Sequence, residues 1–446
     1  MATGRRGGLP VVAAAAVATC VVLAMRLVTP AGAATPEEVL SPCLGPDCPV
    51  TYPDPNNLAW AGRDAAVNVF VGGDFLVREN AAEAEGRIVV MGDLDVDKDA
   101  ANLRYDMGVV GVGSRVVPPN DSDFVTVGGT TTVAPTNTVG IGGVDLTATP
   151  AWGHVVHAGA LDPARFDVLS PGEIRQDADA TAAYADIAAT IPELSDCLAE
   201  QATTGTVEVT GGQATFTGDG SSALQVFEVE QDLGTANSAI GFTFVGIPAD
   251  ATVVVNLLGD ERLLNTFSGG GGNPIDALRT RLVWNAPTTT SLTITGFPQF
   301  QGSLLAGNAG GTTNIDAPGV NGRVALAGDL VHSGDGAELH NYPFNGQLPD
   351  CAPTQPPTTD TPTTVPPTEP PTTEPTDRGS MTASPTELPT SATDQPGGTD
   401  QNGSIPGVGA SPGLLTALLS GIALVVGGSA LVVVALRRRE EPDGGE

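Results

Sequence analysis

Residues 86–94 read GRIVVMGDL, and residues 322–330 read GRVALAGDL. Both phrases open on Gly-Arg, run through a short apolar stretch and close on Gly-Asp-Leu. Apart from one Asp they hold no residue type that does chemistry, so the repetition is architectural. Around the first copy the same punctuation recurs, as in NVFVGGDF (68–75), MGVVGVGS (107–114), FVTVGGT (124–130), TVGIGGV (138–144) and HVVHAGAL (154–161). Each piece is a strand of four to six β-branched or aromatic residues closed by glycine. The glycines serve turns of positive φ, or places where stacked backbones come close. They step by roughly 14 to 20 residues, about one coil of a β-solenoid. Stacked coils set similar turns above one another, and the repeated phrase is one coil's strand and corner written twice.

An insert follows at residues 162–201. Asp162-Pro163 reads as an N-cap with Pro at the first helical position. Tyr184, Ile187, Ala188, Ile191, Leu194 and Leu198 then fall at three- and four-residue steps, an amphipathic helix for the flank of the solenoid. Pro192 is expected to kink it or divide it in two. Strands resume with TVEVTGGQATFTGDG (206–220), QVFEVE (225–230), FTFVGI (242–247), ATVVVNLLG (251–259) and TTSLTITGF (289–297), and GGGGN (269–273) reads as a flexible tip. The fold class expected is mainly β: a parallel β-helix (β-solenoid) with a flanking amphipathic α-helix, then a disordered Pro/Thr stalk and one transmembrane helix.

The two ends of the 446-residue chain read as addresses. Arg5 and Arg6, an apolar run to Met25 and Ala31-Gly32-Ala33 make a secretory signal peptide over 1–33, by either the general or the twin-arginine route. Residues 34–57 hold a small disulfide loop, and 58–351 the folded β domain. From 352 to 411 the composition turns to Pro, Thr, Glu, Asp and Gly, as in TPTTVPPTEPPTTEPT, which cannot bury a core. Such a stalk reaches at most roughly 190 Å. Residues 412–436 form an uncharged apolar span long enough for a hydrocarbon core of about 30 Å. Arg437, Arg438 and Arg439 then act as a stop-transfer signal heading the cytoplasmic tail, 437–446. The pentapeptide LPTSA (388–392) is too degenerate and too far upstream for a wall-sorting signal. The expected location is the cell membrane, single-pass, with the N-terminal ectodomain at a bacterial surface.

Once Cys20 leaves with the signal, Cys43, Cys48, Cys197 and Cys351 remain, an even number in an oxidising compartment. Three pairings are open. The tight CLGPDC loop favours Cys43–Cys48, leaving Cys197–Cys351. The formal net charge is −32. It repels phosphate backbones, which argues against nucleic acid as a partner. DLDVDKDAAN (93–102) lines up Asp93, Asp95, Asp97 and Asp99, oxygen ligands at alternating positions that would suit calcium. Lys98 and Arg104 stand where an EF-hand loop wants Gly and Glu, so a solvated corner is the better reading and calcium the alternative. His154 and His157 stand three apart on a strand and face opposite ways, so they cannot chelate one ion together. His332 and His340 read as hydrogen-bonding groups near the terminal coil. Trp60, Trp152 and Trp284 could stack on sugar rings, with packing as the rival role. No GxSxG elbow, HExxH helix or phosphate-binding glycine loop occurs. No catalytic residue and no cofactor is expected, calcium at the acidic row being the one alternative.

NVFVGGDF followed by EGRIVVMGDL resembles the opening of the choice-of-anchor A domain of bacterial surface proteins. LVWNAPTTTSLTITGFPQFQGSLLAGNAG, GRVALAGDLVHSGDGAELH and NYPFNG resemble its close, so that the likeness brackets residues 58–350. The resemblance implies an adhesive domain carried on variable C-terminal anchors, and it brings no catalytic residues. A non-enzymatic, surface-displayed adhesion module follows, held by its C-terminal helix and binding an extracellular polysaccharide or protein. The rivals are a carbohydrate-active β-helix enzyme and an ice- or mineral-binding protein working through threonine rows.

Overall fold

In the computed structural model the short Val-, Ile- and Phe-rich runs pair side by side as parallel strands. They build three sheets of ten, seven and seven strands. The structure describes Met1 and residues 39–99 and 103–351. The signal segment, the Pro/Thr segment, the apolar span and Arg437, Arg438 and Arg439 lie outside the described residues. One coil gives one strand to each sheet: Val67–Val71 to sheet 1, Phe75–Arg78 to sheet 2 and Glu83–Glu85 to sheet 3. The expected β-solenoid is therefore present, as a three-sided stack.

The order of the rungs departs from chain order. Val67–Val71 pairs with Arg87–Val90 on one side and with Val324–Leu326 on the other. The two copies of the nine-residue phrase thus flank the first coil. From that middle the chain winds outward through Ser122–Val127 and Gly153–His157 to Ile174–Gln176. After the helix it restarts at Leu224–Val229, at the opposite edge of sheet 1. It then winds back through Thr252–Leu257, Leu282–Ala286 and Ser303–Ala306 to close on the first coil.

The Gly-Asp corner of the phrase has a direct physical cause. Asp329 Oδ1 accepts from the Asp74 backbone N–H, Asp74 Oδ1 from Asp93 N–H, and Asp93 Oδ1 from Thr130 N–H, at 2.6–2.8 Å. Each carboxylate reaches across to the next rung and satisfies a turn donor that no strand pairs. It fits because the residue there is glycine. A Cβ at Gly73 would lie 2.1 Å from Asp329 Oδ1, and one at Gly92 2.3 Å from Asp74 Oδ1. Gly and Asp are therefore coupled between rungs rather than within one.

Sheet 1 is apolar on both faces, as buried parallel strands are. Val69, Val71, Ile88 and Val90 point into the stack, where they join the main core. Phe70, Val89, Val254, Val283 and Leu305 point outward and are covered by Ile191, Leu194 and Leu198 of helix α1, Ala185–Ala199. Each such side chain contributes about 1.5–3 kcal/mol on burial. Two buried asparagines fix the helix. Asn285 Nδ2 donates to the Ser195 carbonyl and to Asn256 Oδ1, both at 2.8 Å, and Asn256 Nδ2 donates to the Leu198 carbonyl at 3.0 Å. The helix starts later than the sequence suggested. Asp162 caps only a 3-10 turn, Pro163–Arg165. The next residues then continue the solenoid, because Phe166–Val168 pairs with Thr138–Ile141 and Ile174–Gln176 with Gly153–His157. Pro192 lies inside α1 without dividing it, forgoing one backbone bond.

A hairpin departs from the coil pattern at the Leu224–Val229 end. Thr206–Thr210 and Gln213–Thr217 pair antiparallel, and the second strand pairs in parallel with Gly241–Val245. Phe216 packs there with Phe227, Phe242, Phe244 and Trp284, at centroid distances of 4.4–6.2 Å. The alternating threonines of TVEVT thus belong to this hairpin and not to a flat side of the solenoid.

Candidate binding surface

Among the described residues the four cysteines form two disulfides, Cys43–Cys48 and Cys197–Cys351. The second ties the end of α1 to the last described residue. The acidic row does not converge. Asp93 serves the corner ladder, Asp95 pairs with Arg78 at 2.7 Å, and Asp97 and Asp99 are exposed. Among the described residues no three His, Cys, Asp or Glu side chains gather as a metal site.

The histidines each have their own partners. His154 Nε2 lies 3.1 Å from Asp121, and His157 Nδ1 2.8 Å from the Gly159 carbonyl. His340 bridges Asn321 and Glu338 at 2.7 and 2.8 Å. His332 meets the Tyr105 hydroxyl at 2.8 Å inside the stack, and burial, with Lys98 nearby, pulls it down to about 3. A buried polar junction joins the first and last coils to the N-terminal arm. Arg323 pairs with Asp64 at 2.6 Å, both buried, and Asp64 also accepts from Leu44 and Ala66 N–H at 2.9 Å. Glu85, fully buried, accepts from the N–H groups of Ser114, Arg115 and Asn341, while burial pushes its carboxyl upward. Burial also holds the Glu83 carboxyl up at about 7, opposed by the Gly111 N–H. These groups are structural: each carboxylate accepts at least one backbone N–H, and Asp64 adds the Arg323 guanidinium. Trp284 is buried with its N–H on the Gln301 carbonyl, and Trp60 lies under the Arg115 guanidinium at 4.1 Å.

The irregular part of the stack lies elsewhere. In the rung of Thr252–Leu257 and Glu261–Thr266, the third side is not a strand. Residues 267–281 leave the sheet, run through Gly269, Gly270, Gly271 and Gly272, all at positive φ, and return as a 3-10 helix, Pro274–Leu278. The glycine stretch is pinned, not loose: Asp276 accepts from Gly270 N–H at 2.7 Å and from Gly272 N–H at 3.0 Å. Arg279 pairs with Asp54 and covers the Tyr342 ring at 4.7 Å. Three clefts border this excursion. One, of about 420 Å³, lies against Gly241–Val245. A second, of about 450 Å³, runs beside Tyr52 and Tyr342, and a third, of about 380 Å³, beside Asp54 and Gln301. Beside the first, Phe267 is 53% exposed, and Phe297 on the neighbouring rung is 81% exposed. The sequence reading treated GGGGN only as a tip. The signal it held was the Asn273-Pro274 start of a helical turn, with Asp276 in reach of the glycines.

A family model described as "Putative Ice-binding-like adhesive domain" matches residues 66–341. The chain belongs to this family. The match begins beside Val67–Val71 and ends beside Glu338–His340, the coils that meet in the middle of the stack. The ice-binding-like adhesive domain is thus the whole set of coils, with α1 included. Three solved structures are similar. A crystal structure of an ice-binding protein from an Antarctic biological consortium is 14% identical, with 66% of this chain and 96% of that one covered and a TM-score of 0.24. The DUF3494 domain of Shewanella frigidimarina ice-binding protein 1 gives 15%, 60%, 93% and 0.21. An ice-binding protein of the Antarctic ascomycete Antarctomyces psychrotrophicus gives 13%, 62%, 94% and 0.21. No curated protein matches the chain.

Proposed function

We propose that this ice-binding-like adhesive domain is a non-enzymatic module that holds a cell surface to an extracellular polysaccharide or protein. The observation that carries the reading is its membership in an adhesive family together with a rigid solenoid whose buried acids and histidines serve backbone and side-chain partners. The finer likeness to choice-of-anchor A domains belongs to this proposal. So does display at a bacterial surface on the 352–411 stalk and the 412–436 membrane span, with Arg437, Arg438 and Arg439 inside. Calcium at Asp93, Asp95, Asp97 and Asp99 is not part of it.

Comparing cells with and without the gene for binding to polysaccharides, matrix proteins and neighbouring cells tests the reading. Loss of adhesion to at least one surface is expected. Equal adhesion across a broad panel would remove the claim.

Ice or mineral binding is a second reading, favoured by the family's description. A uniform threonine ladder would support it. The central outward column of sheet 2 instead runs Thr132, Asp95, Leu76, Val331, Asn314 and Thr293 on successive rungs. An assay for thermal hysteresis decides between the two, and its absence is expected.

A further inference from the structure

We propose that the cleft between the 267–281 excursion and the Gly241–Val245 strand is a binding site for a neutral glycan chain. This rests on the adhesive reading and names its ligand class and its place.

Three observations meet there. The cleft holds about 420 Å³, room for one or two sugar rings, on a scaffold of parallel strands. Its walls are apolar and aromatic on one side, through Phe242, Phe244 and Ile247, and Phe267 stands at its rim with half its surface in solvent. Phe297 repeats this aromatic exposure on the adjacent rung. The hydrogen-bonding groups between these walls are hydroxyls and amides: Gln213, Thr243, Ser268 and Asn273. Gln213 spends its Nε2 on Thr243 at 2.8 Å, and its Oε1 accepts nothing among the described residues. Asn273 spends its Oδ1 on the Ile275 N–H, and its Nδ2 donates to nothing among them. Two residues lining the cleft thus keep one acceptor and one donor without a protein partner among the described residues.

A pyranose matches this set, because it offers C–H groups on a ring face and hydroxyls on its edge. A lipid chain would leave the amides unpaired. An acidic polymer would meet a chain of net charge −32. The cation in the lining, Arg281, is committed to the Ala251 and Pro248 carbonyls.

The test uses the full chain with cellohexaose, chitohexaose and laminarihexaose as neutral probes and polygalacturonate as the acidic control, read by calorimetry. At least one neutral hexasaccharide is expected to bind. Phe267→Ala and Gln213→Ala should each weaken it about tenfold, as the loss of a buried aromatic contact or a satisfied amide does. Both side chains lie at the rim, so an unchanged melting temperature certifies the fold. The site is overturned if no neutral probe binds, if polygalacturonate binds in preference, or if both variants bind as the parent does. Adhesion of cells to a protein-coated surface without glycan binding overturns the site and leaves the adhesive reading standing. Glycan binding lost in the variants, from cells that adhere to nothing, supports the site and removes the adhesive reading.

Discussion

At the scale of single residues, the Gly-Asp pair shows how a repeated phrase can be read. Asp74 needs Gly92 on the next rung, because a side chain there would stand 2.3 Å from the Asp74 carboxylate and 2.5 Å from the Gly73 carbonyl. Gly92→Ala should therefore lower stability by about 1–3 kcal/mol, measured by chemical denaturation, with Asp74→Ala giving the smaller loss of one hydrogen bond. A stable Gly92→Ala protein would mean that the corner ladder is ornamental. Glu83 gives a pH signature. Its carboxyl is held up at about 7, above its ordinary range, so the folded state binds more protons than the unfolded one between about pH 4.5 and 7. Its stabilising share is complete below that window and is lost as pH rises through it. Glu83→Gln should accordingly raise the melting temperature at pH 8 and change it little at pH 4.5. His332, held down at about 3, runs the other way, its contribution being present above about pH 6.5 and lost toward acid. The Gly-Asp corner was legible in the sequence as punctuation, but its partner was not, since the contact joins residues that only stacking brings together. The same gap explains the acidic row: Asp93 looked like one ligand of several and is spent on Thr130 N–H.

Elements are where periodicity was informative and boundaries were not. The apolar runs of sheet 1 announced short strands, and Ile191, Leu194 and Leu198 announced the covering stripe of α1. Asp162-Pro163 carried a true capping signal, yet it starts a single turn, because Phe166–Val168 still finds a parallel partner and tertiary pairing overrides the local start. Asn285, inside the apolar strand Leu282–Ala286, is the clamp between sheet 1 and the helix. Asn285→Ala removes a donor from the Ser195 carbonyl and from Asn256 Oδ1 and takes the acceptor from the Ser195 hydroxyl, and a loss of about 1–3 kcal/mol is expected by urea unfolding. The glycine excursion reverses the first impression most completely. Gly269–Gly272 suggested looseness, and Asp276 turns it into a held arch. Asp276→Ala should speed amide exchange at residues 269–273 while leaving the protection of sheet 1 as it was. Equal exchange in both proteins would show that the carboxylate holds nothing.

For the molecule as a whole, the spacing of the glycine-closed strands announced a solenoid, but no local pattern gives the order in which coils stack. Parallel pairing leaves no turn between partners in sequence, so that the first coil lies between the second and the last had to come from the structure. That arrangement places the N-terminal arm and the Asp64–Arg323 pair at the middle of the stack, where both strand series meet. The Cys197–Cys351 bond spans 154 residues of chain, nearly the whole returning series. Cys351→Ser should lower stability by about 2–5 kcal/mol, read as a fall in melting temperature that reductant reproduces in the parent. The bond also sets the direction in which tension would travel. A pull from beyond Cys351 is delivered into α1, which lies across several rungs, so it loads many ladder bonds at once in shear. Without the bond the same pull would peel the final coil away one hydrogen bond at a time, beginning at the strap of residues 341–351.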